Sequence, residues 1–309
     1  MASEASSTPY LDALRRDGFV KVPQILPPHV LLAMKACCKY TTERARNGKW
    51  PHVRTVPKQY PPWQHWEPGD NIWGVQHLLH PDMNVRDTFA EVYFCDQVLD
   101  VVKELVGLKD DPAGDDKLVM ELFNLLVSPA DQVDFELCWH RDDIRPDVDP
   151  EEEERQLKEK SPDGQQLHAQ YNIALFEDAS LIVVPGSHRR VRTKTEREAA
   201  PYEPNLPGQL LVELQPGDGV FYDSNILHRG VYKGIDVSKE LGRMTLHGSV
   251  GLAGHGTERA RQVLQHAVGD WVDRAHFPME GPKGERAEAM RKRLVEMGSG
   301  KDLGYSLVG

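Results

Sequence analysis

The chain has 309 residues, 39% of them apolar and 28% charged, a balance that supports a globular core and excludes a disordered or fibrous polypeptide. Acidic residues outnumber basic ones, 48 to 37, and the resulting formal charge of −11 repels phosphate backbones, so nucleic acid is not an expected partner. No window approaches the roughly 18 uncharged apolar residues of a membrane helix, and Met1–Pro9 lacks a signal-peptide core, so no membrane partner and a cytoplasmic location are expected.

The first patterned segment, Leu11 to Ala36, opens with a helical turn. Asp17-Gly18-Phe19-Val20-Lys21-Val22 then alternates like a short strand, and Pro27-Pro28 start a helix over His29 to about Arg46. Cys37, Cys38, Cys95 and Cys138 form no CxxC pair and are expected to be reduced thiols. The stretch Trp50 to Trp73 holds Pro51, Pro57, Pro61, Pro62 and Pro68. It is too irregular for a helix and too aromatic for a linker, so it reads as an ordered loop packed over something else. Trp63, Trp66 and Trp73, with His65 and His77, either line a substrate pocket or simply pack that loop.

Between Asn84 and Gly107, apolar residues from Phe89 to Leu105 recur at helical spacing. From Lys117 the texture turns to β. Strands are predicted over Leu118–Val127, Phe135–Trp139, Ala169–Phe176, Leu181–Val184, Gln209–Leu214, Gly219–Tyr222 and Arg243–Val250, an antiparallel sandwich or barrel. One insertion interrupts them: Asp149 as N-cap, Pro150, then a solvated helix over Glu151–Lys160 with Glu151/Arg155 and Glu154/Lys158 pairs. Ala260, Val263, Leu264, Ala267, Val268 and Trp271 mark an amphipathic helix that braces the sheet.

An iron oxygenase needs two imidazoles and one carboxylate on one face of the metal. On a strand, residues i and i+2 share a side, so His140 and Asp142 reach one ion while Arg141 points away. His-x-Asp alone is weak, since chance supplies about one match among 13 histidines. A second copy, His80-Pro81-Asp82, stands at a helix start and serves as an internal control. His140 and Asp142 as a surface hydrogen-bonded pair is the bland alternative. The second half of the chain shifts the weight: Pro216-Gly217-Asp218 makes a turn, and Leu227-His228 places a histidine in an apolar frame.

Trp139-His140-Arg141-Asp142, Val183-Val184-Pro185-Gly186-Ser187-His188 and Pro216-Gly217-Asp218 followed by Leu227-His228 resemble the signature segments of the phytanoyl-CoA dioxygenase family. The opening Asp17-Gly18-Phe19-Val20 is similar to that family's N-terminal strand, and the similarity spans roughly Leu11 to Val250. The resemblance implies a mainly β fold with flanking helices, a double-stranded β-helix or cupin-like jelly roll. It implies one dioxygenase domain over 1–309, with a family-like core at 11–250 and a C-terminal helical extension at 251–309. It implies His140, Asp142 and His228 as ligands of iron(II), with 2-oxoglutarate and dioxygen as cosubstrates and a small organic molecule as substrate. It also implies an arginine for the distal carboxylate of 2-oxoglutarate, with Arg243 as the candidate because Arg229 adjoins a ligand.

Asn124, and Asn172 or Gln170, are candidates to hydrogen-bond the cosubstrate's other end, and strand alternation does not choose between the last two. Gly230 stands where many members carry a hydroxyl residue, and the loop Tyr232 to Leu241 lengthens the His-to-Arg interval. His188 and the basic run to Lys194 read as a hydrogen-bonded turn and a solvated loop, or as contacts to an anionic substrate. Asp142 favours oxygenation over halogenation, which needs that coordination position freed. A metal-dependent hydrolase and a non-catalytic jelly-roll binding protein remain alternatives. Nothing in the pattern specifies the oligomeric state.

Overall fold

Alternation along each strand decides what lies on either side of the main sheet. In the computed structural model, which describes residues 7–161, 165–254, 259, 262–264 and 266–298, the strands form two antiparallel sheets. The larger contains β1 (Phe19–Val22), β2 (Val53–Thr55), β3 (Ile72–Val75), β4 (Leu118–Val127), β6 (His168–Ala174), β9 (Gly219–Tyr222) and β11 (Met244–Leu252), in the order β1-β9-β6-β11-β4-β3-β2. The smaller contains β5 (Phe135–Glu136), β7 (Asp178–Val183), β8 (Leu210–Leu214) and β10 (His228–Tyr232), in the order β5-β10-β7-β8. This is the expected jelly roll with flanking helices.

On β6, Ala169, Tyr171 and Ile173 enter the apolar core that the large sheet shares with helices α2 (Pro28–Arg46), α3 (Arg86–Tyr93) and α4 (Asp96–Leu105). The intervening Gln170 and Asn172 face the cavity between the sheets. Apolar packing between the sheets is confined to two smaller clusters, one around Leu181, Val183, Val212 and Val220 and one joining Trp73 and Leu126 to Phe135 and Tyr232. Most of the apolar burial therefore stabilises the outer face, which leaves the inner face free to be polar.

Several expectations need correction. The 50–73 segment is partly strand: β2 and the start of β3 extend the large sheet beyond β4. The 84–107 pattern is two helices, because Cys95 takes an extended conformation between them; the break lets adjacent Tyr93 and Phe94 both enter the core. His80-Pro81-Asp82 forms a turn ahead of α3 rather than the helix start, and it is not a strand. The strand predicted over Phe135–Trp139 keeps regular pairing only to Glu136, and His140 rejoins β10 through one isolated bridge to His228.

Helix α5 (Pro150–Lys160) has the predicted Asp149 cap, whose side chain accepts from the Glu152 N–H. It is not merely solvated, since Glu153 and Leu157 are buried. Arg155 pairs with Glu152 and Glu159 rather than Glu151, whereas Glu154 and Lys158 pair at 2.7 Å as expected. Near the C-terminus Val263, Val268 and Trp271 join the main core, while Ala260 lies outside the described residues. After the short helix α6 (Lys194–Glu198), the last described helix, α7 (Gly281–Gly298), packs Met290 and Leu294 into that core.

Candidate metal centre and cavity

His140 and His228 are partners in the backbone before they are partners in chemistry. Each donates its main-chain N–H to the other's carbonyl at 3.0 Å, which sets their imidazole centroids 4.3 Å apart. Two residues after His140 the chain bends, and Asp142 is fixed by its N–H to the Ser224 carbonyl at 2.8 Å. Asp142 Oδ1 then lies 3.4 Å from His140 Nε2 and 3.7 Å from His228 Nε2. Among the described residues this is the one group of three metal-ligating side chains whose donor atoms fall within 4.8 Å of one another.

The remaining polar atoms of the triad are already engaged. His140 Nδ1 lies 2.7 Å from the Cys138 carbonyl and His228 Nδ1 lies 2.9 Å from that of Ile226, so each Nδ1 carries the proton and each Nε2 presents a lone pair. Gln170 Nε2 donates to Asp142 Oδ2 at 2.7 Å, leaving Oδ1 for a metal. Burial, then the neighbouring His140, lowers His228 to about 4, so its imidazole is neutral at physiological pH. Burial opposes ionisation of Asp142, but His228, His140 and Gln170 together hold it well below the usual carboxylate range. Two imidazoles and one carboxylate, with open space beside them, suit the facial set that binds iron(II).

Arg141 points away from the metal side, as expected. Its guanidinium donates to Glu153 at 2.9 Å and to the carbonyls of Ser187, Asn225 and Arg190. Glu153 also receives Arg192 and Arg197. The basic run is therefore only partly a solvated loop: Arg189 and Lys194 are exposed, while Arg190 pairs with Glu196 and Arg192 with Glu153. Its Pro-Gly-Ser-His turn is tied by Ser187 Oγ, which accepts the Leu227 N–H at 2.7 Å. His188 is buried against Gly18 and does not line the cavity.

The cavity beside the triad encloses about 160 Å³ and is reached by Gln170, Asn172 and Arg243. Arg243, buried just ahead of β11, donates Nε to Asp178 Oδ2 at 3.0 Å, and Thr245 Oγ1 donates to the same oxygen at 2.7 Å. Its Nη1 is buried with no partner among the described residues. Arg229 instead reaches Glu136 and the Tyr202 carbonyl on the outside. Asn172 Oδ1 lies 2.9 Å from His247 Nδ1, and His247 lines the cavity too.

Asn124 is a correction: it does not line the cavity, and its Oδ1 is taken by the His77 N–H at 3.0 Å. Of the aromatic loop, Trp63 and Trp73 line the cavity, whereas Trp66, His65 and His77 do not. The loop's Gln59 and Tyr60, missed in the sequence, do more. Gln59 Oε1 accepts the Cys138 N–H at 3.0 Å and Tyr60 Oη lies 3.3 Å from Cys138 Sγ, so the loop covers the His140 ligand. Gly230 has no room for a hydroxyl side chain, because a Cβ there would come within 2.4 Å of the Tyr232 hydroxyl.

An antiparallel jelly roll with a two-histidine, one-carboxylate centre between its sheets defines the class of metal-dependent cupin-like oxygenases. Comparison narrows this: residues 14–231 match the model of the family Phytanoyl-CoA dioxygenase (PhyH), and the chain belongs to that family. With its triad intact, it is a metal-dependent enzyme that oxidises a small substrate. No curated protein matches the sequence. Among solved structures, the fold is similar to AviO1 from Streptomyces viridochromogenes Tue57, at 17% identity and TM-score 0.50 over 80% of this chain and 96% of that one. It is also similar to EctD from S. alaskensis, solved with 2-oxoglutarate and 5-hydroxyectoine, at 17% identity and TM-score 0.54 over 83% and 80%.

Proposed function

We propose that the cavity binds iron(II) and 2-oxoglutarate and uses dioxygen to oxidise, by default to hydroxylate, a small organic molecule, with release of succinate and carbon dioxide. The observation that carries this reading is the pairing, in one cavity, of the triad with a buried guanidinium whose Nη1 has no partner among the described residues. Bound iron supplies the activation of dioxygen and the oxidising power. His140, Asp142 and His228 hold it, and Gln170 keeps Asp142 turned toward it. Arg243 receives the distal carboxylate of 2-oxoglutarate, oriented by Asp178 and Thr245, with Gln170 and Asn172 nearer the other end. Gln59, Tyr60 and Trp63 shield the centre from water.

No helix among the described residues is long and apolar enough to cross a membrane. The packing of α7 against β4 supports a single domain in which the C-terminal extension braces the sheet. Turnover of 2-oxoglutarate is the test. Purified protein with iron(II), 2-oxoglutarate and air is expected to release carbon dioxide even without substrate, at a low uncoupled rate, and His140→Ala and His228→Ala are expected to abolish it. Metal-dependent hydrolysis without keto-acid consumption would replace this reading with the hydrolase.

A further inference from the structure

Strand β2 buries an arginine with no acid to neutralise it. Arg54 is 8% exposed, and its guanidinium lies over two indoles, 4.7 Å from the Trp63 centroid and 5.2 Å from that of Trp73. Among the described residues no carboxylate stands within ion-pair distance, no side-chain hydrogen bond satisfies it, and its Nε is fully buried without a partner. The other two arginines of the cavity are neutralised, Arg243 by Asp178 and Arg259 by Glu121. Burial lowers Arg54 to about 10, which leaves it charged at neutral pH.

The fold makes space for this charge. Arg54 is the cross-strand partner of Gly74, and a Cβ at position 74 would come 3.1 Å from Arg54 Cδ. The glycine lets the side chain lie across β3 and reach the cavity, which it lines together with His140, Asp142 and His228. An unpaired buried charge is strongly unfavourable, and cation–π contact with two rings offsets only part of that. A site that retains such a group is completed by an anion from outside.

We propose that Arg54 is the substrate anchor and that the substrate is a small organic acid, its carboxylate held by the Arg54 guanidinium and its body lying along Trp63 and Trp73. This rests on the proposed oxygenase reading, in which Arg243 serves 2-oxoglutarate through its unpartnered Nη1, and Arg54, the one cavity arginine with no acid paired to it among the described residues, is left for a second anion. The two indoles supply an apolar wall, and the guanidinium edge supplies the polar handle that fixes orientation.

The test uses the full-length protein loaded with manganese(II), a redox-inert stand-in, and 2-oxoglutarate. Hexanoate, benzoate and phenylacetate are titrated against their own primary amides, and binding is read from the fluorescence of the flanking tryptophans. Wild type is expected to prefer at least one carboxylate over its amide by about 10-fold or more, and Arg54→Gln to reduce that preference to about 2-fold or less. Affinity for 2-oxoglutarate is expected to stay within about 2-fold of wild type, and ligand-free Arg54→Met to melt no lower than wild type. No preference in wild type, a preference surviving in Arg54→Gln, or a parallel loss of 2-oxoglutarate affinity would each overturn the proposal. So would a melting point lowered by more than about 5 °C, which marks a structural arginine. Failure of the oxygenase reading is separate: wild type would then release no carbon dioxide from 2-oxoglutarate while keeping its carboxylate preference.

Discussion

Arg243 engages Asp178 through Nε and keeps Nη1 unpartnered, so its guanidinium is oriented before any cosubstrate arrives. Removing it leaves a buried carboxylate unpaired, and Arg243→Ala is expected to weaken 2-oxoglutarate by about 2 to 5 kcal/mol while iron affinity holds. Arg243→Lys should recover only part, since it loses the fork that meets both Asp178 and the ligand. Michaelis constants for 2-oxoglutarate, measured beside iron affinity, check both, and an unchanged constant in the Ala variant moves the anchor elsewhere. At this scale the metal ligands were legible, because His140-x-Asp142 and Leu227-His228 carry their spacing and apolar frames in the sequence itself. Asp178 and Arg54 were not. Their roles come from a partner 65 residues away along the chain and from a cross-strand glycine, and neither leaves a local pattern. Asn124 shows the converse error: the right face of a strand does not guarantee the cavity, because His77 takes its oxygen.

Helix α5 looks from its composition like a charged surface element, yet Glu153 on its inner side gathers Arg141, Arg192 and Arg197. Arg141 lies between the ligands His140 and Asp142, so the helix holds the metal-binding bend from behind. Truncating one acid among three buried or half-buried arginines leaves their charge uncompensated, and Glu153→Ala is expected to cost about 3 to 5 kcal/mol. It should also lower iron affinity, whereas Glu154→Ala on the exposed face should leave stability close to that of wild type. Urea unfolding of the two variants, with metal titration of the first, decides this; equal stabilities would remove α5 from the account of the site. The long strands were legible because their alternation serves two different environments, core outside and cavity inside. β2 and β3 were hidden by being short and lying at either end of a proline-rich stretch. The Phe135–Trp139 strand was overextended because apolar alternation continues where regular pairing stops.

Across the whole molecule, four histidines are held neutral by burial. Burial is the first cause in each case, lowering His228 and His80 to about 4 and His247 and His266 to about 3. The unfolded chain titrates its histidines near 6.5, so below that pH it binds protons that the folded chain refuses, and stability falls as pH falls toward 4. Each such histidine contributes about 1.4 kcal/mol per pH unit in that window. Asp143, raised to about 6 chiefly by burial, works the other way but is a single group. The urea midpoint of the metal-free protein is therefore expected to drop steadily from pH 7 to pH 5, and a flat profile would contradict this placement of the histidines. The backbone bridge between His140 and His228 bears on the same centre from another side. Because two of the three ligands already exchange main-chain hydrogen bonds, the ordering entropy of the chelate is carried by sheet pairing rather than by the ion. Asp142 is held at the bend by the Ser224 carbonyl and by Gln170, so an arriving metal meets all three ligands in place and loading is a local event instead of a folding transition.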